Sequence, residues 1–91
     1  MRALGIDYGA SNIGIAFGDT NIKIASPFSV IKNKNEEFVL KELGAIIQQE
    51  LIEIIVVGAP TNLQGNETQQ TQDVFKFIEL LKTHVSCDII I

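Results

Sequence analysis

Ninety-one residues allow one small domain, and a hydrophobic content of 46% is enough for a packed core without disulfide help. Seven basic against eleven acidic residues give a net charge of −4, which argues against a general electrostatic grip on a polyanion. The single cysteine, Cys87, cannot pair within the chain and points to a reducing compartment; no apolar stretch reaches membrane-span length and Asp7 interrupts any secretory leader, so a cytoplasmic location without a membrane partner is expected.

The first element is an apolar strand from Arg2 to Asp7, and the stretch Leu4-Gly5-Ile6-Asp7-Tyr8-Gly9 carries one carboxylate to its end and then turns on glycine. Asp and Gly also favour turns for backbone reasons alone, so a plain strand-to-turn reading stands beside a chemical one. A second strand, Ile13 to Gly18, follows closely enough for a hairpin, which holds Asp7 on a rigid element. A third is expected from Ile22 to Val30, with Pro27 suiting an edge. Lys23, Lys32 and Lys34 are the local candidates for phosphate contact, although solvated surface lysines are the plainer reading.

Asn33-Lys34-Asn35-Glu36-Glu37 has the chemistry of a helix amino terminus, and Val39, Leu43, Ile46 and Ile47 then form one apolar stripe. Glu53 to Gly58 is a continuous β-branched run of the kind a parallel strand shows when both its faces are covered. The turn-rich loop from Gly58 to Asn66 leads to a second helix with Val74, Ile78, Leu81 and Val85 on one face. A fifth strand from Cys87 to Ile91 closes the chain.

This order predicts a mixed α/β sheet: a three-stranded antiparallel meander, then two parallel strands added by right-handed crossover helices. If strand four lies beside strand one, the loop that follows it sits next to Asp7, where ligands of open α/β sheets bind. A carboxylate ending a largely buried strand costs desolvation unless a cation or donors meet it.

Gly5-Ile6-Asp7-Tyr8-Gly9, Ile13-Gly14-Ile15-Ala16-Phe17 with Asp19, and Val56-Val57-Gly58-Ala59-Pro60-Thr61-Asn62-Leu63-Gln64-Gly65 together resemble the YqgF family of bacterial Holliday-junction-resolvase-like and pre-16S rRNA nucleases. The similarity runs in order and spacing over the whole chain. It implies an RNase H-like fold and metal-dependent hydrolysis of phosphodiester bonds, in pre-16S rRNA 5′-end processing for ribosome biogenesis. It further implies Mg2+ or Mn2+ as cofactor and pre-rRNA or branched DNA as partner. Asp7 matches the family's first-strand acid, hence the catalytic and metal-binding candidate. Gly9, Ser11, Asn12, Gly58, Pro60, Asn62 and Gly65 are the candidate substrate contacts; loops without bulky side chains let backbone amides around Gly9 and from Gly58 to Gly65 approach a phosphate.

The chain departs from the family in two places. Ser11-Asn12 stands where the family has a basic pair, and the family's second and third acids follow strand five, in an Asp-Glu-Arg segment and on a later helix. Residues 1–91 are therefore expected to be one RNase H-like domain, carboxyl-terminally incomplete and weakly active by itself. Asp19 and Asp88 should both lie far from Asp7. Two further readings stay open: a truncated remnant serving as a binding module, and a nucleotide-binding lobe of the actin-like ATPase and sugar-kinase type. The apolar Ile89-Ile90-Ile91 end also predicts self-association through an exposed strand.

Overall fold

Leu4, Ile6 and Tyr8 alternate with Ala3, Gly5 and Asp7, and this period of two sends large side chains to one face and small ones plus the carboxylate to the other. The computed structural model describes residues 1–19, 24–58 and 69–90. In it the strand spans Arg2–Tyr8 (β1) and folds back antiparallel as β2 (Asn12–Asp19), with Leu4 opposite Phe17 and Asp7 opposite Gly14. β3 (Ile24–Lys32) pairs antiparallel with β2 at the sheet edge. Its register shifts where Ser29 and Pro27 face Ile15 and Ala16, so the proline falls at an irregularity on an edge strand, where a missing ladder donor costs least.

Helix α1 (Glu36–Gln49) starts on Asn35, whose Oδ1 accepts from the Phe38 N–H at 2.8 Å, with Glu36 and Glu37 against the positive end of the helix. Leu51, at φ 54°, then turns left-handed while the Ile52 N–H reaches the Ile47 carbonyl at 3.0 Å. This ending feeds the chain directly into β4 (Ile54–Val57), parallel to β1 with Ile55 opposite Leu4 and Val57 opposite Ile6. Arg2 secures the same end of the sheet: its Nε donates to the Glu50 carbonyl at 2.7 Å and its Nη2 to Glu50 Oε1 at 2.9 Å, placing a cation at the carboxyl end of α1.

Helix α2 (Gln69–Lys82) returns the chain to β5 (Asp88–Ile90), parallel to β4, and the strand order is β3-β2-β1-β4-β5. The meander with two added parallel strands is thus the observed plan. Val85 falls beyond the last residue of α2 but still packs on the core. Among the described residues no helix is long and apolar enough to cross a membrane.

One core joins Val39 and Leu43 of α1 and Val74, Phe77, Ile78 and Leu81 of α2 to the Leu4, Ile6, Ile55 and Val57 face of the sheet. Both helices therefore cover the same face. The β-branched run of β4 suggested cover on both faces, but Ile55 and Val57 are buried while Val56 between them is 39% exposed. Among the described residues no helix lies over Val56, and the face that carries Gly5, Asp7, Gly14 and Ala16 borders a groove instead of a packed layer.

Candidate active site

Because β1 and β4 are parallel neighbours inside the sheet, their carboxyl ends leave it side by side. The Gly58 N–H, just past β4, donates to the Ile6 carbonyl at 3.0 Å and ties that exit to the residue before Asp7. Ile6 takes the helix-covered face, so Asp7 points to the open one. There it borders a groove of about 470 Å³ lined by Gly5, Gly14, Ala16, Val56 and Gly58 among others. Gly14 keeps this space wide: a methyl built on it would stand 3.5 Å from the Asp7 Cβ.

Asp7 is exposed. The expected desolvation of a strand-end carboxylate is thus absent, because the strand is buried on one side only and Asp7 occupies the other. What distinguishes this carboxylate is its position at the paired strand ends.

Gly9, Ala10 and Ser11 connect β1 to β2. A methyl on Gly9 would come within 2.5 Å of the Asn12 carbonyl oxygen, a clash with backbone that side-chain motion cannot relieve, so this turn requires glycine. Ser11 and Asn12 are exposed on the same turn. Asn33, directly after β3, reaches across to it: its Nδ2 donates to the Gly9 carbonyl at 2.9 Å and its backbone N–H to the Ser11 carbonyl at 3.0 Å. Sequence reasoning considered Asn33 only as a helix cap. Asn35 caps the helix, and the signal was the presence of two asparagines where one cap was needed.

Gly58 therefore lies beside β1, and Gly9, Ser11 and Asn12 form the turn beyond Asp7. Pro60, Asn62, Gly65 and Lys23 lie outside the described residues. Lys34 is engaged elsewhere, with its Nζ 4.8 Å above the centre of the Phe38 ring.

Asp19 and Asp88 are remote, as expected. Asp19 pairs with Arg2, and Asp88 with Ile54, which itself faces Ala3; both positions are at the opposite end of β1 from Asp7. Among the described residues no group of three acids, histidines or cysteines is placed to hold a metal. Mg2+ and Mn2+ need more oxygen ligands than one carboxylate offers, so the described residues alone do not fit such an ion. Cys87 packs on the core, and burial, reinforced by the neighbouring Asp88 charge, pushes its thiol up, consistent with a packing role.

Comparison with known proteins bears directly on this geometry. Two relatives named "Putative pre-16S rRNA nuclease" are similar to the chain. That of Rickettsia typhi is 37% identical over 86 residues, covering 94% of this chain and 55% of the relative. That of Clostridium botulinum is 35% identical over 89 residues, covering 98% and 65% respectively. The chain thus spans between half and two thirds of the length of these curated relatives. Among solved structures, T. thermophilus RuvC in complex with a Holliday junction substrate superposes with a TM-score of 0.67 at 13% identity, covering 98% of this chain and 63% of that one. At that identity the likeness concerns the fold, and the fold is RNase H-like. The profile of the family described as "RuvX: Holliday junction resolvase" matches residues 1–91. The resemblance carried by the Asp7 strand and the Gly58 loop is therefore borne out, and the chain belongs to the RuvX (YqgF) family.

Proposed function

We propose that this chain is the Asp7-bearing part of a cytoplasmic nuclease that hydrolyses phosphodiester bonds in pre-16S rRNA during 5′-end processing. The observation that carries the reading is the exposed Asp7 carboxylate at the joined ends of β1 and β4, beside an open groove. A carboxylate there holds a fixed negative charge next to a bound phosphodiester, where it can orient a cation or an attacking water. The Gly9 to Asn12 turn and the segment bearing Gly58, Pro60, Asn62 and Gly65 are assigned to the nucleic-acid backbone, since glycine-rich turns let amides approach phosphate closely. Mg2+ or Mn2+ is the assigned cofactor. Its remaining ligands are assigned to the acids that the family carries after strand five.

The test uses a form of the protein extended through those acids, incubated with a pre-16S rRNA fragment and with a four-way DNA junction, with and without Mg2+ or Mn2+. Metal-dependent cleavage of the RNA is the expected result. Cleavage of the junction alone would redirect the substrate to branched DNA, and ATP hydrolysis without cleavage of either would replace the nuclease reading by the actin-like one.

We also infer that the 91-residue chain pairs with a second copy through β5. This strand is a sheet edge and its Ile90 is 50% exposed. Sedimentation of that chain should show dimers whose proportion rises with concentration. A monomer throughout would remove this part of the reading.

A further inference from the structure

The turn after Asp7 is held from outside its own hairpin. Two strands joined by three residues define where the turn begins and ends but leave its carbonyls free to rotate, and a loop tip of small residues is ordinarily the most mobile part of a hairpin. Here Asn33 closes on it twice, through its side-chain amide to Gly9 and its backbone amide to Ser11. Lys34 donates its own N–H back to the Lys32 carbonyl at 2.9 Å, so the chain bends tightly around Asn33 and aims it at the hairpin. The contact spans 24 residues of sequence and is partly buried, which shields it from competing water.

We propose that Asn33 is a positioning residue of the Asp7 site: it clamps the Gly9 to Asn12 turn in the shape that presents the turn's backbone to a nucleic-acid phosphate. With the Gly9 and Ser11 carbonyls both accepting from Asn33, two of the turn's acceptors that would repel a phosphate are occupied. The same turn keeps its exposed Ser11 and Asn12 side chains as donors. The clamp also fixes where Gly9, two residues past Asp7, leaves the sheet. This inference rests on the nuclease reading, since it concerns how that site meets its substrate.

Two variants test it in the extended protein. Asn33→Ala removes the donor, and Asn33→Asp keeps the shape while replacing the amide donor by a carboxylate that cannot donate to Gly9. Hydrogen exchange across residues 9–13 should quicken about five- to thirtyfold in both, the factor that corresponds to losing one side-chain hydrogen bond, while β4 is unchanged. Binding of a synthetic pre-16S rRNA fragment or four-way DNA junction should weaken severalfold in Asn33→Ala. At the level of turnover KM should rise with kcat little changed, as expected when substrate binding and not the chemical step is affected. Unchanged exchange in both variants would overturn the clamp. Faster exchange with unaltered binding and KM would overturn its role towards substrate. A parent protein that binds neither probe would instead defeat the nuclease reading, and the exchange result would still report on the clamp separately.

Discussion

Leu43→Ala is expected to cost about 2–5 kcal/mol, the range found when a fully buried leucine is cut back and its cavity cannot collapse. Leu43 is 0% exposed and belongs to the stripe by which α1 meets the sheet. The cluster it belongs to draws its members from both helices and the sheet, Val39, Leu4 and Ile55 among them, so the space it fills is walled by several elements. Domains of this size have about 5–15 kcal/mol in total, so a substantial part of the stability goes with this one side chain. Urea unfolding should show the loss at constant m-value, and the thermal midpoint should fall by roughly 10 °C or more. Leu51→Ala makes the same truncation at a leucine that is 74% exposed and should change stability by no more than about 0.5 kcal/mol. Equal costs at the two positions would mean that α1 does not seat on the sheet through Leu43.

Much of this architecture is legible in local sequence signals, and the features that are not legible have a common cause. The alternation in β1, the β-branched run of β4 and the stripe of α1 each report on a few consecutive residues, and each matches the element found. Crossover geometry alone leaves the neighbour of strand four open; its place beside strand one enters as a condition supported by the family resemblance, and the observed pairing of β4 with β1 meets that condition and sets Gly58 beside Ile6. Cover of a strand face is a different kind of property. It depends on which side two distant helices choose, so the sequence of β4 reads as doubly buried although Val56 is open, and Asp7 reads as desolvated although it faces solvent. Asn33 escaped for the same reason. Its partner Gly9 is remote in sequence, and β3 runs on to Lys32, past the expected end at Val30, which is what brings Asn33 level with the hairpin turn.

In the proposed nuclease Asp7 acts through its charge and its position at the joined strand ends. Asp7→Asn keeps the side chain's shape, and because the residue is exposed and lies opposite Gly14 the substitution should leave the thermal midpoint essentially unchanged. An amide, however, neither carries the charge that orients a cation nor accepts a proton. A group contributing several kcal/mol at such a centre corresponds to a rate loss of about 10²-fold or more. The most direct measurement is therefore single-turnover cleavage of a pre-16S rRNA fragment by the extended protein and its Asp7→Asn variant, in Mn2+ or Mg2+ and at matched folded concentration. Cleavage should be lost in the variant while its unfolding curve overlays that of the parent. Cleavage at the parental rate by a folded Asp7→Asn protein would contradict that role of Asp7.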